Sequence, residues 1–391
     1  MTSNAAGNGS FSSSTNAVQL VSAQRGRKVY RVRGQNFDID DTYTVTSVIG
    51  HGAYGVVCAA LDDRTFQEVA IKRVSRVFED LIDGRRIWRE ILLLRTLKEH
   101  GCRNILRLIR VLPPRDPITE FRDLYMVTDL YDVDLFSIIR QNKCESMDML
   151  RRISVRVVRC LADMHSMGMV HRDIKPSNIL LRDEKDAEEA IVCDFGLARA
   201  GLHRLREPLD LTDYVVTRWY RPPELLLMCP YSYPIDVWAV GCVMAEYVMQ
   251  RPLFAGRDYI HQLQFVLSSI PITGVDFIER SGSSSGLANM NEIAKKYKGT
   301  RPLSQLLSKL PKEGMDLVSK MLAFEPEKRI TAQEALEHPF FHNVGGADCK
   351  SYPSPPELDL GFDMHAEISE YQLRRAIWDE VEYYRKDQKK K

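Results

Sequence analysis

Residues 171–178 read HRDIKPSN, and Asp194 opens a DFG triplet sixteen residues after the asparagine. That order places four groups suited to moving a phosphoryl group off a nucleotide in one stretch of chain. Asp173 is the group to accept or orient the proton of an attacking hydroxyl. Lys175 is placed to neutralise charge that develops on the transferred phosphate. Asn178 and Asp194 are oxygen ligands at a spacing that suits Mg²⁺ held against phosphates. Positioning and charge neutralisation supply most of the rate in such a transfer, so a few well-held polar groups suffice. An isolated HRD is a chance match; the ordered set is what carries the reading.

Upstream groups fall in matching order. Residues 50–57, GHGAYGVV, satisfy GxGxxGxV. Gly50, Gly52 and Gly55 permit a tight turn close to a phosphate, and Ile49, Val57 and Ala70 are the small or apolar residues assigned to the purine. A glycine-rich loop alone is weak evidence and more often an ordinary hairpin. Lys72, in AIKRV, changes the balance, because its ammonium suits the α and β phosphates of ATP. Glu90, eighteen residues later on an amphipathic stretch, is the carboxylate expected to hold it. Thr128 is small enough to leave a pocket behind the adenine open. Asp129, Leu130 and Tyr131 would offer backbone groups to the adenine edge, although a plain strand end accounts for their side chains equally well.

Thr212 and Tyr214 flank a single aspartate inside a segment that holds Arg199, Arg204, Arg206, Arg218 and Arg221. A phosphate on Thr212 would recruit Arg172, Arg199 and Arg89, and Arg89 adjoins Glu90. A phosphate on Tyr214 would pair with Arg218 and Arg221. Charge-assisted contacts of this kind order loops; the alternative is a polar loop that is ordered at all times. Glu224 is expected to pair with Arg329 as a buried bridge, and Asp236 to hold backbone near the catalytic loop.

The elements that must position these groups are legible as patterns. Alternation over 41–75 and 124–130 reads as strands, with DDRT as a turn. Ile87, Ile91 and Leu94 recur at helical spacing within 80–99. Helical patterns dominate from about 132. The fold class is therefore α+β, with a small β-rich lobe over 38–129, a large helical lobe over 130–342, and the ligand cleft expected between them. Residues 1–37, rich in Ser, Asn and Gly and without an acid, read as mostly disordered. The basic run 25–33 within them is left open between a strand lying on the body, a phosphate-attracting arm and a solubilising tail. SGSSSG at 281–286 reads as a flexible loop. Residues 343–391 read as an extension that wraps back over the body and ends in a helix over 367–384.

Bulk properties narrow the class. With 391 residues, net charge +1 and 27% charged side chains, the chain has no overall signature of nucleic-acid binding. No apolar run is long enough for a membrane span, and the start carries no signal-peptide pattern. The eight cysteines form no CxxC pair and are expected to be reduced thiols, Cys193 beside Asp194 being read as a packed thiol.

At GHGAYGVV, AIKRV, HRDIKPSNILL, CDFGLAR, TDYVVTRWYRPPE, DVWAVGC and RPLFAGRDY the chain resembles the mitogen-activated protein kinases, over about 38–384. The TxY pair and an insert near 255–300 are similar to the extracellular-signal-regulated type. Asp213 stands where animal members have Glu, a TDY form frequent in plants and protists. The resemblance implies a bilobal kinase using ATP and Mg²⁺. It implies activation by an upstream dual-specificity kinase, reversal by phosphatases, and Ser-Pro or Thr-Pro substrates with the proline accepted near Val216, Arg218 and Arg221. It further implies a monomer in the cytoplasm or nucleus. A nucleotide-binding scaffold with little transfer is the alternative. The acidic patch that the family carries after its HPF segment is reduced here to Asp348 near Lys350, so docking-motif partners stay undecided.

Overall fold

The computed structural model describes residues 18–52, 55–144, 146–184, 189–200, 217–342, 344 and 368–387. Thr212 and Tyr214, and most of the stretch after the HPF segment, lie outside them. The chain divides into two compact units: Met1–Gly84 with Leu108–Leu130 and Ser369–Lys391, and Arg85–Arg107 with Tyr131–Ile368. The architecture is a bilobal kinase fold, with an N-terminal β-rich lobe and a C-terminal helix-rich lobe.

The first unit opens with strands β1 (Val18–Gln24), β2 (Arg27–Val32) and β3 (Gln35–Asp40), which form an antiparallel sheet in that order. Residues 18–37 are thus strands and tight turns: over 25–33 this is the strand alternative, and over the rest it replaces the disorder expected from composition; residues 1–17 lie outside the described part. The signal is period-2 alternation, which outweighs the scarcity of acids. Tyr30, Val32, Phe37 and Ile39 alternate inward and are buried. Arg33 and Gly34 both have positive φ (50° and 78°), the requirement of a tight hairpin turn whose twist matches the strands.

Next come β4 (Tyr43–Gly52), β5 (Gly55–Asp62) and β6 (Gln67–Val74), then helix α1 (Leu81–Glu99), and β7 (Leu108–Leu112) and β8 (Leu124–Asp129). The five strands form one antiparallel sheet in the order β4-β5-β6-β8-β7. Cys58, Ile71 and Val127 sit opposite one another across it, and their face packs on Tyr30, Val32, Phe37 and Ile39 in a shared core. The Phe37 and Tyr125 rings meet edge to face at 5.1 Å, and the Tyr125 hydroxyl accepts the Asp38 N–H at 3.0 Å.

In the second unit β9 (Val133–Asp134) leads to α2 (Leu135–Arg140) and α3 (Met147–Ser166), whose N-terminus is capped by the Ser146 hydroxyl. The catalytic stretch carries β10 (Met169–Val170), β11 (Ile179–Leu181), β12 (Ile191–Val192) and β13 (Arg199–Ala200). Helices α4 (Pro223–Leu226), α5 (Pro234–Met249), α6 (Tyr259–Ser269), α7 (Asp276–Ser281), α8 (Ser284–Tyr297), α9 (Leu303–Leu306), α10 (Lys312–Met321) and α11 (Ala332–Leu336) follow. The loop expected over 281–286 is therefore shorter, since α8 already begins at Ser284. Helix α5 is apolar at most positions around its circumference, apart from Asp236 and Glu246, and is almost wholly buried, which makes it the pillar of this unit. The chain returns to the first unit as α12 (Glu370–Asp387), which lays Leu373, Ile377, Val381 and Tyr384 inward and packs along β7. Among the described residues the cysteines are free thiols and no helix is long and apolar enough to cross a membrane.

Candidate active site

Strand register decides which side chains of the first unit share a face. Gly50 stands opposite Val57, Val57 opposite Lys72, and Lys72 opposite Met126; Ala70 stands opposite Thr128. Directly paired residues and residues two apart share a face. Gly50, Val57, Ala70, Lys72 and Thr128 therefore lie on the sheet face that β1–β3 do not cover. Ile49 is exposed beside them, and the Thr128 hydroxyl donates to the Asp129 carbonyl at 3.2 Å. The glycine requirement is sharpest at Gly55. It has φ 145°, and a Cβ there would sit 1.8 Å from the Arg73 carbonyl oxygen. At Gly50 a Cβ would meet only ordinary contact with Val57.

The second unit holds the catalytic loop by its backbone. Asp236, buried on α5, accepts the N–H of His171 and of Arg172, each at 2.8 Å, and faces His165 Nε2 at 3.0 Å. Its carboxyl is held below the ordinary value despite complete burial, because the hydrogen bond and charge of His165 and the contact with His171 favour the ionised form. His171 in turn donates from Nε2 to the Cys193 carbonyl, packs its ring on Phe195 at 5.0 Å, and accepts the Asp173 N–H on Nδ1. Arg172 and Asp194 have φ of 72° and 64°, a left-handed conformation that side chains avoid unless tertiary contacts hold it.

These contacts deliver Asp173, which is only 7% exposed, to two partners. Lys175 Nζ reaches its Oδ2 at 2.7 Å, and the Asn178 amide donates to the same oxygen at 3.0 Å and to the Asp173 carbonyl at 2.9 Å. Burial pushes the Asp173 carboxyl above its ordinary value, the Lys175 charge and hydrogen bond pull it back, and Asp194 pushes it up again. Asn178 uses its amide N–H groups on Asp173, which leaves its carbonyl oxygen for a cation, and Asp194 is exposed. Among the described residues no cluster of three or more His, Cys, Asp or Glu could enclose a metal. One carboxylate and one amide oxygen fit Mg²⁺, which keeps waters and phosphate oxygens in its shell rather than an all-protein cage.

A second cluster lies beside this loop. Arg89 Nη1 donates to the Gly196 carbonyl at 3.2 Å, Arg172 Nη1 to Leu197 at 3.5 Å, and Arg199 Nη1 to Ala198 at 3.3 Å. Burial, then Arg199, Arg172, Arg85 and Arg86, push the Arg89 guanidinium down to about 9. Glu90 is buried next to Arg89 on α1. Arg218 Nη1 donates to the Arg257 carbonyl at 2.8 Å and Arg221 to the Tyr259 hydroxyl. Tyr131, in the second unit, carries the Arg182 guanidinium over its ring at 5.1 Å.

The Glu224–Arg329 bridge is present as expected, at 2.7 Å and fully buried. Sequence reasoning missed the Tyr220 hydroxyl bond to Glu246 at 2.8 Å, which ties the segment before Arg221 to α5. A glutamate in the apolar run of α5 was the available signal. Burial pushes this carboxyl up to about 7.

Residues 43–341 match the protein kinase domain. The chain is 36% identical to the mitogen-activated protein kinase MPS1 of Pyricularia oryzae over 93% of its own length and 86% of the relative's. It is 36% identical to the mitogen-activated protein kinase homolog NTF6 of Nicotiana tabacum, covering 93% and 95%. It is 37% identical to mitogen-activated protein kinase 1 of Oryza sativa, covering 93% and 88%.

Proposed function

The chain belongs to the mitogen-activated protein kinase family, and on that premise we propose that it is a proline-directed kinase switched on by phosphate at Thr212 and Tyr214. ATP-dependent transfer to serine and threonine hydroxyls is the activity of its catalytic domain. The switch is supported above all by Arg89, Arg172 and Arg199, whose guanidinium groups gather next to the DFG segment.

Asp173 orients the substrate hydroxyl and takes its proton, while Lys175 balances charge on the departing γ-phosphate. Asn178 and Asp194 hold Mg²⁺, which neutralises phosphate charge when bound. Lys72 takes the α and β phosphates, with Glu90 as the carboxylate that serves it. Ile49, Gly50, Gly52, Gly55, Val57, Ala70 and Thr128 receive the nucleotide, with backbone groups of Asp129, Leu130 and Tyr131 at its adenine edge. Phosphate on Thr212 gathers Arg89, Arg172 and Arg199, so one modification steadies both the catalytic loop and the helix that carries Glu90. Phosphate on Tyr214 engages Arg218 and Arg221 and shapes the seat for the substrate proline. An upstream dual-specificity kinase and opposing phosphatases act on that pair, in the cytoplasm and nucleus.

The test is phosphate transfer to a Thr-Pro peptide and its Thr-Ala twin, before and after phosphorylation of Thr212 and Tyr214. A gain confined to the proline peptide supports the reading. Equal use of both peptides overturns proline direction, and no gain overturns the switch. Asp173→Asn abolishes transfer in either state if Asp173 has the role assigned.

A further inference from the structure

The helical unit contains a cavity of about 890 Å³, built from α3, α5, α7, the segment before α5 and the segment that leads into α11. The cavity opens to solvent past the exposed Ser232 and Gln333, and its size falls in the range that holds an organic ligand. Pro230, Tyr231, Tyr233, Pro234, Phe277 and Pro326 give it flat apolar surface, interleaved with polar groups such as Ser166, Ser281 and Thr331.

The charged groups at the wall are already answered. Arg329 donates from Nε to the Ala323 carbonyl, from Nη1 to Glu224 and the Pro234 carbonyl, and from Nη2 to Glu224 and the Ala323 carbonyl. That accounts for all its N–H groups. Arg280 pairs with Glu327 at the rim, and His165 with Asp236. An ion seated against these walls would give up part of its water and find no unanswered countercharge, which disfavours it against a neutral molecule. Flat walls and internal neutrality together select an uncharged, planar ring system.

Two wall residues also touch the catalytic loop. The Tyr231 ring lies under the Arg172 guanidinium at 5.3 Å. His165 bonds to the Asp236 carboxylate that accepts the His171 and Arg172 N–H groups. Arg172 sits in a left-handed backbone conformation, which side chains adopt only where tertiary contacts hold it.

We propose that this cavity is a binding site for a small uncharged aromatic molecule, and that its occupant steadies the catalytic loop through Tyr231 and His165. The second half concerns regulation and rests on the kinase reading; the first half does not.

The probe is 6-propionyl-2-(dimethylamino)naphthalene, an uncharged naphthalene whose emission moves to the blue in apolar surroundings, titrated into the full chain. Saturable blue-shifted binding is expected, weakened at least about tenfold by Ser232→Trp, which fills the rim from an exposed position. Gln333→Trp, exposed on another wall, does the same if Ser232→Trp fails to fold. The anionic 1-anilinonaphthalene-8-sulfonate is expected to bind at least about tenfold more weakly than the neutral probe. No saturable binding, binding indifferent to both tryptophans, or preference for the anion overturns the site. Slower amide exchange over 170–173 in the loaded protein supports the coupling, and unchanged exchange with the probe bound overturns it. Neither readout uses phosphate transfer, so their failure is distinct from failure of the kinase reading.

Discussion

The Asn178 amide donates to Oδ2 of Asp173 at 3.0 Å, which joins the proposed metal ligand to the proposed base. Asn178→Ala removes a metal ligand and frees the base in one step. Its transfer rate should therefore fall by more than loss of Mg²⁺ affinity explains, and saturating Mg²⁺ should restore only part of it. Steady-state rates across a Mg²⁺ series measure this.

The Asp173 carboxyl stands above its ordinary value, chiefly through burial, with Lys175 opposing. A base is lost when it takes a proton, so kcat/KM should decline as pH falls through this raised pKa. Lys175→Met removes the opposing charge and hydrogen bond. The acid limb should then move to higher pH, with kcat lower by about 10²-fold. A pH–rate profile of both proteins decides it; a limb that stays in place would count against Asp173 as the titrating group.

Glu246 has a folded pKa of about 7 against an ordinary 4.5, with burial as the cause. The folded state therefore binds the proton more tightly than the unfolded chain. Its contribution is full below pH about 4.5 and is lost as pH rises toward about 7. The full effect is about 3 kcal/mol. Glu246→Gln still accepts the Tyr220 hydroxyl and should flatten this part of the stability–pH curve. Urea denaturation at a series of pH values tests the slope.

Arg89 is held near 9 by burial and by its arginine neighbours. Arg89→Met relieves that repulsion and loses the bond to the Gly196 carbonyl, two opposing effects, so the unphosphorylated variant should melt close to the parent. After phosphorylation of Thr212, the variant should lack the contact and show an activation gain about tenfold smaller. Melting curves and peptide kinetics on both phosphorylation states separate the two effects.

Arg329→Met strands the Glu224 carboxylate, which is 1% exposed, without its partner. The loss should be about 3–5 kcal/mol. Glu224→Gln combined with Arg329→Met removes the stranded charge and should cost less than Arg329→Met alone. Chemical denaturation of the three proteins measures the difference.

Local patterns in the chain sufficed for much of this protein. The order of HRDIKPSN and DFG points to the proposed chemical groups because transfer needs particular side chains at short, definite separations. Alternation over 43–74 specified β4 to β6, and it also placed Val57, Ala70 and Lys72, because a strand's side chains alternate whatever packs on them. The Glu224–Arg329 bridge is expected from the sequence, but its complete burial shows only in the structure. Alternation was equally present over 18–40, but nothing local says whether an alternating segment will find a surface to cover. That surface is the β5–β6–β8 face, which meets Tyr30, Val32, Phe37 and Ile39 only after folding. Arg374 stacks over Phe78 at 3.9 Å and donates to the Phe121 carbonyl at 2.7 Å, a partnership across more than 250 residues that no spacing rule anticipates. The low pKa of Arg89, the burial of Asp173 and the cavity beneath Tyr231 likewise belong to tertiary structure, because each depends on which distant groups are brought close and how much water they displace.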